Sequence, residues 1–249
     1  MGYLILAVRF LTIVPVPGRE ATGAGALGRA AWCFPAVGVG LGACLVAADH
    51  LFAFVFPPLL ETVLLISLWK VLTGGIHLDG LADVLDGLSG LDAERRVAIM
   101  RDSRIGVFGA TGLVLCLLIA TGALGALPAG RHAGALLLAP AVGRLAPVLI
   151  GPLFAAATPG QGAGAAFLEG LSPWAAPVCV AGSWILAAVL LGPWGGLVLS
   201  LALASVLLWA AWLASRFGGV TGDVLGSSVE LGELATLVAV AALMHLRVL

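Results

Sequence analysis

Three aspartates carry the first sign of chemistry. Asp79, Asp83 and Asp86 stand at i, i+4 and i+7 within Gly74-Gly75-Ile76-His77-Leu78-Asp79-Gly80-Leu81-Ala82-Asp83-Val84-Leu85-Asp86-Gly87. At roughly 100° per residue of helix, Asp83 falls about 40° to one side of Asp79 and Asp86 about 20° to the other. The carboxylates share one narrow stripe, and Leu78, Leu81, Leu85 and Leu88 spread over the rest. Like charges at i, i+4 repel, more so at a membrane boundary where screening is weaker. A solvated acidic face is the ordinary explanation of such a pattern. It fits poorly here, because six of the thirteen acidic residues crowd into positions 79–102 of a chain that otherwise avoids charge. A divalent cation would relieve the repulsion, and oxygen-only ligands suit Mg²⁺ or Mn²⁺ rather than zinc. Glycines at 74, 75, 80 and 87 would let backbone or ligand approach, at a helix cost of about 1 kcal/mol each. His77 either joins the metal, polarises a substrate group or caps the helix.

A basic partner follows in Ile99-Met100-Arg101-Asp102-Ser103-Arg104-Ile105-Gly106. Arg101 and Arg104 are one helical turn apart, and their forks suit phosphate oxygens. Ser103, between them, joins the expected phosphate contacts or caps the next helix. Arg95 and Arg96 read equally well as arginines flanking a membrane span. Arg144 lies inside an apolar run and needs a partner, which the acidic cluster or a phosphate would supply. A second polar segment runs from Gly218 to Glu233. Asp223, Glu230 and Glu233 can share one helical face there, and Thr221 or Asp223 can cap it. That segment is expected to complete the metal shell or bind a substrate hydroxyl. Acids beside arginines are what phosphoryl or phosphodiester transfer needs: metal neutralises phosphate charge while arginines hold the group in line.

These residues need a frame, and the composition says which. Hydrophobic residues make up 61% of 249, charged residues 10%, and the formal net charge is −1, with mean hydropathy +1.14. A soluble domain is nearer one quarter charged, so lipid must take up the apolar excess. Polybasic runs with interleaved aromatics are absent, which excludes a nucleic-acid partner. Apolar runs of membrane-crossing length lie near 31–56, 59–75, 106–127, 133–156, 175–192, 194–215 and 232–248. Segment 3–15 is short for a span and is expected at the interface, a first helix kept rather than cleaved. Breaks fall at Pro57-Pro58, Leu127-Pro128, Thr158-Pro159-Gly160, Gly192-Pro193 and Gly218-Gly219. Cys33, Cys44, Cys116 and Cys179 sit in apolar surroundings without ligand spacing and read as core residues.

The fold class is therefore all-α: a polytopic helical membrane protein with about seven spans plus short interfacial helices, forming one domain over 1–249. No internal repeat is visible. Arg9, Arg19, Arg29, Arg95, Arg96, Arg101, Arg104 and Arg216 fall on one side of these spans, Arg131 and Arg247 on the other. The positive-inside rule puts both polar stretches, 76–105 and 216–231, in the cytoplasm, which for a bacterium means the inner membrane.

The segments together resemble the membrane-bound cobalamin synthases, or adenosylcobinamide-GDP ribazoletransferases. The matching blocks are Arg9-Phe10-Leu11-Thr12 with Pro15-Val16-Pro17, Phe34-Pro35 with Gly38 and Gly42, and Thr73-Gly74-Gly75 through Asp83 with Asp86-Gly87. Ile99 through Gly106 with Gly109 follows, then Thr221-Gly222-Asp223, Leu225-Gly226 and Glu230-Leu231-Gly232-Glu233. The likeness runs nearly end to end, with its most specific block around Asp79 and Asp83. It implies a Mg²⁺-dependent step late in coenzyme B12 assembly. α-Ribazole or its 5′-phosphate attacks the corrinoid-linked phosphate of adenosylcobinamide-GDP, and GMP leaves. On the same footing Asp79, Asp83 and Asp86 would hold the metal, Arg101 and Arg104 would steady phosphates, and Asp102 or Asp83 would serve catalysis, Asp102 being the first choice of base. Residues 156–174, charged in many relatives, are Ala/Gly-rich here with Glu169 the one charge. Position 85 is leucine where a small residue is usual.

Two other classes compete. A cation transporter would show two related halves with interrupted helices, and no such halves appear. A CDP-alcohol phosphotransferase would carry Ala-Arg after the first Asp-Gly, where this chain has Leu81-Ala82. Either ribazole acceptor, and an oligomeric assembly, remain compatible with the sequence.

Overall fold

The computed structural model describes residues 1–160 and 162–246; Arg247, used above for orientation, lies outside them. Twelve α-helices follow one another among the described residues: α1 Gly2–Leu11, α2 Ala26–Ala30, α3 Phe34–Val55, α4 Pro58–Leu72, α5 Ile76–Gly87, α6 Ala93–Met100, α7 Val107–Gly125, α8 Ala129–Ile150, α9 Gly162–Glu169, α10 Ala175–Leu191, α11 Gly195–Phe217 and α12 Gly222–His245. The fold is all-helical, and its breaks fall at the proline and glycine pairs the sequence marks. Pro58 opens α4 where its missing N–H is harmless, and Gly218 ends α11 in the left-handed conformation with φ +76°.

Five stretches are long and apolar enough to cross a membrane: Ala26–Val55, Val107–Gly125, Gly130–Ile150, Ala175–Phe217 and Gly222–His245. A sixth arises if α4 and α5 are taken together as one broken span. The expectation of about seven differs from this count for a physical reason. Ala175–Phe217 is 43 residues long, about twice a bilayer's need, and it reverses at Gly192, where φ is +62°. The arms α10 and α11 lie face to face, Gly196 against the Trp184 ring and Gly195 against the Ala187 carbonyl. They correspond to the separate runs near 175–192 and 194–215.

α8 forms the centre of the bundle; from Ala135 to Ile150 nearly every side chain is buried. Small residues let its neighbours approach closely, as in packing between membrane helices. A Cβ on Gly38 of α3 would come within 2.6 Å of the Ala141 Cα, and one on Gly42 within 2.7 Å of the Leu137 Cα. Gly143 of α8 and Gly232 of α12 meet in the same way. By contrast, Val114, Leu115, Leu118 and Ile119 of α7, and Ile185 and Val189 of α10, are exposed. Apolar exposure on this scale suits a lipid-facing surface.

α5 breaks the pattern. It turns 89° from α4 through Gly74 and Gly75, both at positive φ (+64° and +71°), which side-chain-bearing residues rarely adopt. Its 12 residues span roughly 18 Å, and it lies across the end of the bundle, outside the crossing segments. There it packs on the first turns of α7 and α12. A Cβ on Gly80 would meet the Asp223 carbonyl at 3.0 Å. The two polar stretches, far apart in sequence, thus come together at one end of the molecule.

Candidate active site

A cleft at this end has a volume of 660 Å³ and is lined by Asp79, Asp83, Arg101, Asp102, Ser103 and Arg104, with the Gly74-Gly75 turn at its edge. The α5 stripe supplies the acids, and the loop after α6 supplies the arginines. α6 begins at Asp92, whose carboxylate accepts from the Arg95 N–H at 2.8 Å. Its last turn delivers Met100 into a small apolar cluster with Val84, Phe217 and Val224, and this fixes the loop that follows.

Asp79, Asp83 and Asp223 influence one another electrostatically. The Asp83 carboxyl is pushed up to about 7, first by burial and then by the charges of Asp79, Asp223 and Asp86. This is the crowding expected of an acid stripe without a counter-ion. The three expected metal ligands are not gathered equally, however. Asp86 turns aside: its Oδ2 accepts from the Gly106 N–H at 2.7 Å and its Oδ1 from the Gly109 N–H at 2.8 Å. It caps the start of α7, the position where negative charge also favours the helix dipole. Ser103 was one candidate for that cap; it lines the cleft instead. At α12, Thr221 is the cap, its hydroxyl accepting from the Val224 N–H at 3.2 Å and also meeting the Asp223 carboxylate. Oxygen donors alone, crowded and partly open, fit Mg²⁺, which is commonly held by one or two carboxylates and completes its shell with waters and phosphates.

Arg104 and Asp102 form an exposed forked pair at 2.6–3.2 Å. The Arg104 guanidinium holds the Asp102 carboxyl down at about 2, so Asp102 is a weak proton acceptor in this arrangement.

Glu230 and Glu233, expected to join the acid site, lie deeper. They are 2% and 3% exposed. The Lys70 ammonium donates to both, at 2.6 and 2.7 Å, and Arg144 donates to Glu233. Arg144 thus finds its partner in a single glutamate of α12 rather than in the Asp79 cluster. Because these buried acids are paired, α12 starts ten residues before the apolar run that announced it. Lys70 is the residue sequence reasoning missed. It is the only lysine in the chain and sits inside the apolar run 59–75; an ionisable group there is a signal in its own right.

A second, smaller pocket of 160 Å³ opens beside the cleft. Phe10, Phe34, Phe167, Leu225 and Val229 line it with His77, Asp79 and Asp223, and it shares Ile76 and Asp79 with the cleft. Phe34 stacks on both Phe10 and Phe167, with ring centroids 6.2 and 5.6 Å apart. His77 is buried, and its Nδ1 has no partner. Burial, then the charges of Arg144 and Lys70, keep this imidazole neutral well below its usual range. Phe167 belongs to α9, which forms within the Ala/Gly-rich stretch 156–174. Its glycines allow the closeness: a Cβ on Gly164 would lie 2.6 Å from the Gly222 N.

Together these features define a polytopic helical membrane protein with an acid-and-arginine cleft at one membrane face. The family model for Cobalamin-5-phosphate synthase matches residues 3–241, and this chain belongs to that family. It is 43% identical over 244 residues to the adenosylcobinamide-GDP ribazoletransferase of Pseudomonas aeruginosa (strain UCBPP-PA14), covering 96% of this chain and 97% of the relative. It is 34% identical over 239 residues to that of Geotalea daltonii, covering 96% of each, and 35% identical to that of Roseiflexus sp. (strain RS-1), covering 98% and 90%. No solved structure matches.

Proposed function

We propose that the chain joins α-ribazole, or its 5′-phosphate, to adenosylcobinamide-GDP, releasing GMP and forming adenosylcobalamin or its 5′-phosphate. The observation that carries this reading is the meeting of Asp79 and Asp83 with Arg101 and Arg104 around one cleft, which shares Asp79 with an aromatic-walled pocket lined by Asp223. Asp79 and Asp83 would hold Mg²⁺, whose charge would neutralise the pyrophosphate in the cleft. Arg101 and Arg104 grip phosphate oxygens. The flat ring base of ribazole enters the apolar pocket, where neutral His77 offers a polar contact and the three phenylalanines offer stacking surfaces. That pose brings a ribose hydroxyl to the Asp79–Asp223 boundary. A general base works best near the operating pH, which disfavours Asp102, held at about 2, and moves the proton-accepting role to Asp223. The cleft faces the cytoplasm, where nucleotide substrates are made.

Detergent-purified protein with Mg²⁺, adenosylcobinamide-GDP and either ribazole acceptor should release GMP and yield one corrinoid product, and Asp83→Asn should not. Turnover by Asp83→Asn equal to wild type would move the metal elsewhere. A folded wild type inactive with both acceptors would redirect the reading to a lipid phosphotransferase.

A further inference from the structure

A second cluster of ligating side chains lies at the end of the bundle opposite the cleft. Asp49 comes from the last turns of α3, Glu61 from the first turn of α4 and His132 from the first turn of α8. One donor atom from each lies within 4.8 Å of the other two, and this is the only such set of three among the described residues. All three are buried, at 4%, 7% and 5% exposure. Nothing in the corrinoid chemistry uses them: α4 leads away from Glu61 toward Lys70 and the turn into α5, so the length of that helix separates them from the acid cleft.

The hydrogen bonds of His132 define what the cluster lacks. Its Nε2 faces the carbonyl of Leu127 at 3.2 Å. A carbonyl only accepts, so Nε2 carries the hydrogen and donates it. In the neutral ring, Nδ1 then presents a lone pair, and it points at Asp49 Oδ1, 2.7 Å away, with Glu61 Oε1 at 3.9 Å. A lone pair set against two carboxylates is repulsive, and two buried carboxylates would be costly if both stayed charged without a partner. A proton or a metal ion must stand between them. A histidine anchored through one nitrogen to a backbone carbonyl, with the other nitrogen turned toward carboxylates, is the arrangement that orients metal-binding imidazoles. Tetrahedral ligands about 2 Å from zinc stand roughly 3.3 Å apart, inside the spread of these donors.

We propose that Asp49, Glu61 and His132 bind one divalent transition-metal ion, of the zinc or manganese class, that ties α3, α4 and α8 together at the membrane face opposite the catalytic cleft. One imidazole nitrogen and two carboxylate oxygens suit zinc, with a fourth position left for water. One divalent ion cancels both carboxylate charges. The ion is structural: it joins helices distant in sequence and takes no part in turnover.

The test uses full-length protein purified in detergent without chelators or a metal-affinity column. Bound metals are counted by plasma mass spectrometry in wild type, Glu61→Gln and His132→Ala. About one zinc or manganese per chain in wild type, falling at least tenfold in both variants while Mg²⁺-supported GMP release persists, is the expected result. Chelation should also lower the Tm of wild type but not that of Glu61→Gln. Two results overturn the proposal. In one, wild type holds no such ion even after addition of zinc and desalting, so protons alone fill the cluster. In the other, the ion is retained undiminished by Glu61→Gln, so it sits elsewhere. Should His132→Ala fail to fold, the near-isosteric Glu61→Gln decides.

Discussion

At the scale of single residues, the acid stripe is defined by what each carboxylate already has. Asp86 places both oxygens on the backbone of α7, Asp102 is clasped by Arg104, and Asp83 feels the like charges of Asp79, Asp223 and Asp86. Asp83→Asn should therefore cut turnover by at least about 100-fold, since disturbing even the outer partners of a metal costs 10–100-fold. It should leave the fold intact or firmer. The pH dependence has a definite sign. The Asp83 carboxyl moves from an ordinary 3.8 to about 7 in the folded state, so the folded state binds the extra proton. Stability from this group is present below about pH 4 and is lost as pH rises through about 7. In metal-free detergent solution, the Tm of wild type should fall relative to Asp83→Asn between pH 5 and 8, and Mg²⁺ should close the gap. A gap that stays constant across that range would show that Asp83 does not titrate there.

At the scale of elements, close contacts rather than side-chain chemistry position the site. Gly109 lies in the first turn of α7, where a Cβ would overlap the Asp86 carboxylate and stand 2.9 Å from the Ala82 carbonyl. Gly109→Ala should cost about 1–3 kcal/mol, the usual price of overpacking, and should lower turnover with it by prising α7 from α5. Gly122, in the same helix with open space around it, is the control: Gly122→Ala should be neutral or stabilising by up to about 1 kcal/mol. Thermal unfolding followed by circular dichroism separates the two. Elements were also where the sequence was partly opaque. Period and spacing located α5 and its acid stripe, and Pro57-Pro58 and Gly218-Gly219 located helix ends. Nothing local to Gly162–Glu169 revealed that this Ala/Gly-rich piece would become a helix supplying Phe167 to a pocket wall, because that role depends on Gly164 meeting Gly222. Likewise Asp86 as a cap for α7 is a tertiary fact, invisible in its spacing from Asp79.

At the scale of the molecule, the bundle has two ends with different chemistry. Arg95, Arg96, Arg101, Arg104 and Arg216 lie at the cleft end, and Arg131 at the other. In a cysteine-free background, Glu94→Cys should react with an impermeant thiol reagent only in inside-out vesicles, and Arg131→Cys only in intact cells freed of outer membrane. The reverse labelling would invert the orientation. Between the two ends lies the buried quartet of Lys70, Arg144, Glu230 and Glu233. Lys70→Met should destabilise by about 3–5 kcal/mol, the cost of stranding a buried charge. The double variant Lys70→Met/Glu230→Gln should recover part of that loss, read as the Tm of detergent-purified protein.

The quartet also bears on how the chain is made. Its two cations arrive on α4 and α8, while both anions ride on α12, which leaves the ribosome after them. Until α12 is delivered, two helices carry uncompensated charge beside lipid, which a bilayer disfavours. Neutrality thus comes only when α12 is delivered, so a transcript cut before Glu230 yields a nascent chain marked for quality control by its own unpaired lysine and arginine.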